Sequence, residues 1–380
     1  MHNPTFDVIV LGTGGIGSAT LLQCAQRGVR CLGLDQFAMA HARGSSHGDT
    51  RAIRKAYFEH PDYVPLLQRA YTLWHQLDEQ RQANQQTALY HASGVLSMGS
   101  PGGEIIQGIR LAAAQHNLPL EEIDETSISQ HFPGIQAQAG HQALLEPDGG
   151  YLMVEAAITH QIEAAVELGA EYLSGVTVNR WHCSGSTVTV ETSAGKFQAH
   201  RLIVTAGAWA AQLMPELAPH LRVVRKHLHW FAPREEQLTR QLPVFFFELD
   251  NAMVYGFPQI DDQGVKIANH AGGEQVADPM HLAPDVDPFD QALIKDVVTH
   301  HLPAVSLQAT RHAVCMYTRS PDDHFIVDQH PEHSQLVFTA GLSGHGYKFA
   351  PVLGEVLTQL ALDGATHLPI DFLRTSRFNL

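Results

Sequence analysis

The hydrophobic pattern at the start of the chain predicts a buried strand followed directly by a helix. The run Phe-Asp-Val-Ile-Val-Leu over residues 6–11 is short and almost entirely apolar, which is typical of a strand buried on both faces. A helical stretch over 18–27 ends before Gly28, and a second strand over 30–34 ends at Asp35. The succession of strand, glycine turn, helix, strand and acidic residue predicts a dinucleotide-binding α/β unit.

Three glycines in the turn between this strand and this helix fit that prediction. Gly12 permits a tight turn, and Gly14 lets backbone N–H groups approach a pyrophosphate. Gly17 lets the helix pack close to the strand. Asp35 is expected to accept a hydrogen bond from an adenosine ribose hydroxyl. The alternative, a glycine-rich turn with no ligand, does not account for the complete context around the turn.

The rest of the chain shows two patterns of predicted secondary structure. Further helices are predicted over 62–82, 104–117, 154–168, 288–300 and 349–362. Strands are predicted over 171–178 and 335–340 and as a hairpin over 187–191 and 196–205, whereas 132–147 is expected to be irregular and rich in turns. Between residues 223 and 316, short strands separated by turns predict an antiparallel sheet, at 226–231, 244–248, 253–257 and 265–268. Segments typical of a parallel sheet lie at both chain ends and in the middle, so we expect interleaved domains.

Composition excludes several classes of protein. The 380 residues include 24 Lys+Arg and 39 Asp+Glu, a net charge of −15, and 44% are hydrophobic, which excludes a mainly disordered chain. The acidic balance argues against a nucleic-acid or anionic-membrane partner. No apolar run approaches the ~18 residues of a membrane span, and residues 1–7 lack the features of a secretory signal. We therefore expect a cytoplasmic protein.

The four cysteines offer no pairwise motif. Cys24, Cys31, Cys183 and Cys315 are scattered without a C-x-x-C pair, so neither a zinc ribbon nor a dithiol redox motif is predicted, and we expect no metal site. Cys24 and Cys31 fall in the first helix and second strand, where a core position is expected. Nothing distinguishes Cys183.

Four blocks of sequence, taken together, resemble one enzyme family. They are the N-terminal glycine motif, GSSHGDTRAIR over 44–54, YGFPQIDDQGVKIANHAGG over 255–273, and AVCMYTRSPDDHFIVD with GLSGHGYKFA over 313–350. The chain is similar in these blocks to the monomeric sarcosine oxidase and N-methyltryptophan oxidase family of flavoproteins. The resemblance implies a glutathione-reductase-like, Rossmann-type FAD domain interleaved with an antiparallel-sheet substrate domain. We expect the FAD domain to comprise 1–86, 146–217 and 318–380, and the substrate domain 87–145 and 218–317.

The resemblance also implies the cofactor and its contacts. FAD would be attached through a thioether between its 8α-methyl group and Cys315. The loop over 341–346 would direct backbone N–H groups and a helix N-terminus towards the flavin pyrimidine oxygen. The remaining cofactor-binding residues implied are Gly12, Gly14, Gly17, Asp35, Val178, Tyr317, Gly344, Gly346 and Lys348.

The implied reaction is the oxidation of an N-methyl (secondary) α-amino acid by oxygen. The flavin would take a hydride equivalent from the N-methyl carbon, and water would hydrolyse the resulting imine to formaldehyde and the amino acid, while oxygen becomes hydrogen peroxide. Arg54 and Lys348 match the residues that bind the substrate carboxylate. Lys266 matches the lysine that activates oxygen. The other catalytic positions implied are Arg51 and His47 at the flavin ring, and Tyr255 and His270 around the substrate.

Three positions depart from the family pattern, and alternative functions stay open. Ser46 replaces a His, Lys55 stands where a His is common, and Phe246 replaces a flexible Met of the sarcosine-preferring members. The segment over 223–230 is nearer to the N-methyltryptophan type. The alternatives are a flavin dehydrogenase, an oxidase of a cyclic amino acid such as proline or pipecolate, and a silent flavin-binding sensor. The expected partners are a small-molecule substrate and oxygen, with the protein acting as a monomer.

Overall fold

The computed structural model describes residues 5–378, so most of the 1–7 stretch, predicted to carry no secretory signal, lies outside the described residues. Its strands are β1 (Thr5–Leu11), β2 (Cys31–Leu34), β3 (Thr50–Ile53), β4 (Tyr90–His91), β5 (Val95–Gly99), β6 (Glu121–Ile123), β7 (Gln142–Glu146), β8 (Gly150–Met153), β9 (Glu171–Leu173), β10 (Val178–Ser184), β11 (Thr187–Thr192), β12 (Gly195–Val204), β13 (Arg222–Pro233), β14 (Val244–Leu249), β15 (Ala252–Gly256), β16 (Val265–Asn269), β17 (Glu274–Gln275), β18 (Val305–Arg319), β19 (Ile326–Gln329) and β20 (Leu336–Ala340). Its α-helices are α1 (Gly15–Gln26), α2 (Val64–Ala83), α3 (Glu104–His116), α4 (Glu125–His131), α5 (Val154–Glu167), α6 (Ala210–Leu213), α7 (Glu236–Arg240), α8 (Pro288–His301) and α9 (Ala350–Asp363).

The first sheet contains the dinucleotide-binding unit. Its strand order is β10-β11-β12-β1-β2-β9, and β20 extends it beside β12. β1 pairs in parallel with both β2 and β12, while α1 packs against α5 and α9. Val8, Ile9 and Val10 are completely buried, which confirms the predicted strand with two covered faces.

The second sheet has nine strands, and its main path runs β17-β13-β16-β15-β14-β5-β7-β6, with β18 beside β13. Most pairs are antiparallel, as predicted for residues 223–316, but β14 pairs in parallel with β5. The chain therefore brings an earlier strand to the edge of the later antiparallel segment.

Two predicted elements are wrong. The 132–147 stretch is not irregular throughout, because β7 pairs with β5 and β6, and its residues Ala143 and Leu144 are buried by that pairing. The strand expected over 171–178 is divided between β9 and β10. Gly175, at a φ of +72°, breaks the extended backbone between them.

A third sheet of three short strands includes β3, which lies in the polar 44–57 stretch. β3 pairs antiparallel with β8, and β8 also pairs with β4. The first sheet takes its strands from 5–34, 171–204 and 326–340, and the second from 95–146 and 222–319. The chain thus passes repeatedly between the sheets, while the exact domain boundaries stay a prediction. Among the helices within residues 5–378, none combines the length and the apolar character that a bilayer span requires.

Candidate functional site

Two of the three motif glycines in the turn after β1, Gly12 and Gly17, leave no room for a side chain. Gly12 has a φ of +82°, and a Cβ added there would lie 2.8 Å from the carbonyl oxygen of Thr205. A Cβ at Gly17 would lie 1.8 Å from the carbonyl oxygen of Gly12, so α1 can approach the turn only because residue 17 is a glycine. Gly14 has no heavy atom within 4 Å of an added Cβ, which leaves its backbone accessible to a ligand.

Asp35 lies at the end of β2 beside this turn. One of its carboxylate oxygens accepts hydrogen bonds from the backbone N–H (2.8 Å) and hydroxyl (3.1 Å) of Thr13. The other accepts the N–H of Phe37 at 2.9 Å. These bonds hold the carboxylate at the edge of the cavity that the glycine turn also lines.

A cavity of about 210 Å³, here called the cofactor cavity, extends from Asp35 past the glycine turn to β18 and the loop before α9. The predicted cofactor-binding residues that line it are Gly12, Gly14, Asp35, Val178, Tyr317, Gly344 and Gly346. Gly17 and Cys315 are absent from its lining, and Lys348 lines a neighbouring cavity. The glycine cradle and the anchored carboxylate fit a dinucleotide cofactor.

The loop over 341–346 closes the far side of the cofactor cavity. Gly341, Ser343 and Gly344 all have positive φ, and a Cβ at Gly344 would lie 2.3 Å from the ring of Tyr317. The loop backbone therefore lies directly on that ring. A short 3₁₀ turn over Tyr347–Phe349 separates the loop from α9.

A second, smaller cavity, here called the substrate cavity, adjoins the first. Its wall shares Arg51, Tyr317, Gly344 and Tyr347 with the cofactor cavity. Its other lining residues are Ala52, Arg54, Phe58, Glu59, Phe246, Tyr255, His270, His345 and Lys348. The two cavities therefore adjoin one another along these four shared residues.

Arg54 is buried at the wall of the substrate cavity and already has an anionic partner. Its Nη2 donates to both carboxylate oxygens of Glu59 at 2.9 Å, and its Nη1 donates to the carbonyl of Ala56 at 3.1 Å. The guanidinium carbon lies 4.4 Å from the ring centres of both Tyr57 and Phe58. Its Nε is buried and has no hydrogen-bond partner within residues 5–378, so one donor of the guanidinium is unused.

Lys348 lies buried at the same cavity. Its Nζ donates to the carbonyl oxygen of His345 at 2.6 Å and to the hydroxyl of Tyr57 at 3.2 Å, both neutral oxygens. Burial and the positive charge of Arg54, opposed by Glu59, together lower the pKa of Lys348 to about 7. The lysine therefore changes charge near neutral pH.

Tyr255, Tyr317 and His270 form a chain of polar groups in the substrate cavity. The two tyrosine hydroxyls are 3.3 Å apart, and the Tyr317 hydroxyl lies 3.4 Å from Nδ1 of His270. Burial lowers the pKa of His270 to about 3, which keeps the imidazole neutral. Phe246 stacks near Tyr255, with ring centres 5.9 Å apart, and gives the cavity an aromatic wall.

Arg51, Lys266 and His47 come together, but only Arg51 lines the cavities. Arg51 donates to the carbonyls of Thr50 (2.8 Å) and Ser45 (2.7 Å). Lys266 is buried and lies outside the lining of both cavities. It donates to the carbonyls of Gly48 (2.7 Å) and Thr50 (2.6 Å).

Burial and the adjacent Arg51 guanidinium hold the pKa of Lys266 well below its ordinary value. The same two causes, with Lys266 as a further one, lower the pKa of His47 to about 3. His47 is therefore neutral, and its buried Nε2 has no hydrogen-bond partner among the described residues 5–378.

Cys315 lies on β18, directly opposite Lys226 of β13 in the antiparallel ladder. The thiol is buried, and burial raises its pKa, while the charges of Arg51, Lys226 and Lys266 oppose that rise. Its neighbour Tyr317 lines the cofactor cavity. Cys24 and Cys31 are buried in α1 and β2, which confirms their expected core positions.

Two buried or half-buried charged residues at the site were not singled out from the sequence. Glu59 was missed, although it is the first acidic residue after Arg54 in a stretch otherwise rich in aromatics. Lys226 was missed because a strand lysine usually faces solvent. Its Nζ instead donates to the carbonyls of residues 270, 271 and 272, of which the closest, Ala271, is at 2.6 Å.

Comparison with known proteins agrees with this geometry. The FAD-dependent oxidoreductase (DAO) family matches residues 7–360. Monomeric sarcosine oxidase from Bacillus sp. (strain B-0618) is 36% identical over 379 residues, covering 98% of this chain and 96% of the relative. N-methyl-L-tryptophan oxidase from Salmonella dublin is 34% identical over 377 residues, covering 98% and 99%.

Solved structures support the fold. NikD, an unusual amino acid oxidase essential for nikkomycin biosynthesis, superposes with a TM-score of 0.85 at 22% identity and covers 98% of both chains. L-proline dehydrogenase from P. horikoshii gives a TM-score of 0.84 at 19% identity, covering 99% of this chain and 98% of its own. The predicted fold and the predicted family are confirmed: the chain belongs to the FAD-dependent oxidoreductase family, in the group that contains monomeric sarcosine oxidase and N-methyl-L-tryptophan oxidase.

Proposed function

We propose that the protein is an FAD-dependent oxidase that demethylates an N-methyl α-amino acid, giving the amino acid, formaldehyde and hydrogen peroxide. The names of the relatives support this reaction. The observation that carries the proposal is the pair of buried cationic residues, Arg54 and Lys348, in a cavity that shares a wall with the cofactor cavity. The substrate and oxygen are its small-molecule partners, and it acts as a monomer.

FAD would be held by the residues that line the cofactor cavity and attached to Cys315 through its 8α-methyl group. When bound, the flavin accepts a hydride equivalent from the substrate and passes two electrons to oxygen. The residues of this chain contribute binding, orientation and charge. Gly12 and Gly14 would let backbone N–H groups reach the pyrophosphate, while Asp35 would bind the ribose.

The substrate carboxylate would lie between Arg54 and Lys348. Glu59 partly neutralises Arg54, so a second anion there gains the unpaired Nε and the Lys348 ammonium, whose present partners are neutral. A carboxylate held by two cations in a buried site also orients the amine at the other end of a small substrate. This orientation would direct the N-methyl group towards the wall shared with the cofactor cavity.

The side chains around the substrate amine would keep the amine unprotonated and would exclude water from it. His270 is uncharged at neutral pH, and burial raises the pKa of both Tyr255 and Tyr317, so their hydroxyls stay protonated. None of the three can act as a strong base in that state. A substrate that enters as the neutral amine needs no such base, because no N–H proton must be removed before the methyl group is oxidised.

Lys266, Arg51 and His47 would serve the oxygen half of the reaction. Arg51 on the shared wall, together with Lys266 packed against it while Lys266 is protonated, would favour negative charge developing on oxygen. His47 would pack beside them in its neutral form. Retention of this cationic cluster favours an oxidase over a dehydrogenase that uses another electron acceptor.

Removing either carboxylate-binding cation should weaken substrate binding. We expect Arg54→Met or Lys348→Met to reduce affinity by about one to two decades, because a charge-assisted hydrogen bond is worth roughly 1.5–3 kcal/mol. Competitive inhibition by acetate or another small carboxylate should weaken in parallel. Arg110→Met, at a surface ion pair with Glu122, is the control. Unchanged inhibitor affinity in both site variants would place the carboxylate elsewhere.

Carboxylate binding should also depend on pH through Lys348. Its pKa of about 7 means that the ammonium is present below pH 7 and is lost as pH rises above it. Inhibitor affinity should therefore fall above pH 7, by at most about tenfold per pH unit. Titrating the inhibitor from pH 6 to pH 9 measures this fall. In Lys348→Met the affinity should be lower but nearly flat over that range, and an unaltered profile would assign the transition to another group.

A substrate panel tests the proposed function. Sarcosine, N-methyltryptophan, other N-methyl amino acids, proline and pipecolate are offered in turn, with peroxide release as the measurement. We expect turnover of at least one N-methyl amino acid. Phe246 lines the substrate cavity with an aromatic ring. The panel shows whether the protein oxidises N-methyl amino acids with small side chains or those with aromatic side chains. Turnover of cyclic amino acids alone, or flavin reduction without peroxide release, would favour one of the alternative functions.

A further inference from the structure

Two glutamates that the proposed reaction does not use hold the segment over 48–56 at its two ends. This segment carries both Arg51 and Arg54. In its middle, β3 pairs with β8 from Thr50 opposite Met153 to Ile53 opposite Gly150. Glu146 precedes β8 in the chain and Glu155 follows it, so the two glutamates lie at opposite ends of β8.

At the first end, Glu155 binds the backbone that supports Lys266. Its carboxylate accepts the N–H of Gly48 at 2.6 Å and the N–H of Asp49 at 3.2 Å. Asp49 has a φ of +71°, which is unfavourable for a residue other than glycine, so the hydrogen bonds from Glu155 support a strained position of the backbone. Lys266 donates to the carbonyls of Gly48 and Thr50 in the same stretch. Glu155 therefore binds the N–H groups of this short segment, and Lys266 binds its carbonyl groups.

At the second end, Glu146 binds the backbone just after Arg54. One carboxylate oxygen accepts the N–H of Lys55 at 2.6 Å, and the other accepts the N–H of Ala56 at 2.8 Å. Arg54 donates to the carbonyl of the same Ala56. Glu146 is buried, with 4% of its surface exposed, and has no role in the proposed chemistry. A shift of residues 55 and 56 would move a hydrogen-bond partner of the Arg54 guanidinium.

From these contacts we infer that Glu155 and Glu146 are positioning residues that separately set the oxygen site and the carboxylate site. Glu155 fixes the carbonyls that hold Lys266, and its charge helps to keep that ammonium protonated. Glu146 fixes the backbone that holds Arg54. The inference rests on the proposed function for the meaning of the two sites, although the contacts themselves do not.

Glu155→Gln and Glu146→Gln test it by a double dissociation, since each change keeps the side-chain size but removes a charge and an acceptor. In Glu155→Gln, we expect reoxidation of the reduced flavin by oxygen to slow by about tenfold or more, with the carboxylate inhibitor's Kd changed less than about twofold. In Glu146→Gln, we expect the reverse pattern. Glu122→Gln at the surface pair with Arg110 is the matched control.

Two further readouts distinguish positioning from general damage. Amide hydrogen exchange on the full-length holoenzyme should quicken at residues 48 and 49 in Glu155→Gln and at 55 and 56 in Glu146→Gln. In Glu155→Gln, the fall of the reoxidation rate with rising pH should move to lower pH, because the Lys266 ammonium loses a nearby negative charge. The other titratable and charged groups that face Lys266 are Arg51, Asp49, His47 and Cys315.

The outcomes separate the inference from the proposed function. Equal effects of both variants on both steps, or no effect on either, overturn the inference. Should a Gln variant fail to fold, the Asp variant keeps the charge with a shorter reach and should give the same split with smaller changes. If the wild type itself oxidises no N-methyl amino acid, the proposed function fails, whereas inhibitor binding and amide exchange still decide whether each glutamate holds its segment.

Discussion

In Lys266→Met, reoxidation of the reduced flavin by oxygen should slow by orders of magnitude, while anaerobic reduction by substrate changes modestly. The ammonium is buried and fixed by two carbonyls, so its charge acts on the oxygen step without any reorganisation. Loss of several kcal/mol of electrostatic stabilisation corresponds to several decades, at about 1.4 kcal/mol per decade. Methionine keeps most of the packing against Phe257, whose ring centre lies 4.1 Å from the lysine Nζ.

Stopped-flow measurement of the two half-reactions separates the possible outcomes. The control is Lys196→Met, which removes a solvent-exposed lysine of the β11–β12 hairpin. Equal slowing of both half-reactions in Lys266→Met would indicate general damage to the site. Reoxidation at the wild-type rate would show that Lys266 does not assist the oxygen step. Arg51, on the wall that the two cavities share, would then be the cation to test.

Cys315→Ala should convert a protein with acid-stable flavin into one that holds FAD loosely at most. Among the four cysteines, all within residues 5–378, Cys315 is the only one with an immediate chain neighbour, Met316, that lines the cofactor cavity. Burial raises the pKa of the thiol and so disfavours the thiolate that a thioether bond requires, and the charges of Arg51, Lys226 and Lys266 offset this only in part.

Acid precipitation followed by absorbance of pellet and supernatant measures this attachment. The wild-type pellet should stay yellow, and the Cys183→Ala pellet should match it because Cys183 lies on β10, outside the lining of the cofactor cavity. Release of all the flavin from the wild type would show that attachment through Cys315 is wrong, while leaving FAD itself as the cofactor of the family.

The dinucleotide-binding unit could be predicted from the sequence because its determinants are local. Gly12, Gly17 and Asp35 lie within about thirty residues of one another, and Gly17 and Asp35 make their close approach and hydrogen bond inside that unit. The antiparallel strands between 223 and 316 were also predictable, since turns separate short apolar runs. β7 was not, because its burial depends on pairing with β5 and β6.

The glutamates that bind the backbone and the arginine of the site could not be predicted in the same way. Glu146 and Glu155 are joined to the 48–56 segment across 90 or more residues of chain, and nothing in their local sequence indicates a buried backbone contact. The partner of Arg54 was equally hidden, although Glu59 lies only five residues away. A carboxylate at that spacing is usually solvated, and only the packing of Tyr57 and Phe58 around the guanidinium brings it inwards.

The stoichiometry of products from one N-methyl amino acid tests the central claim most directly. The amine consumed, the demethylated amino acid, formaldehyde and hydrogen peroxide are quantified in a single reaction of the purified protein with oxygen. The account predicts one of each product for every amine oxidised, since the carbon oxidised is the N-methyl group and oxygen is the electron acceptor. Peroxide without formaldehyde would place the oxidation on another carbon, and formaldehyde without peroxide would require another electron acceptor; either result would contradict the account.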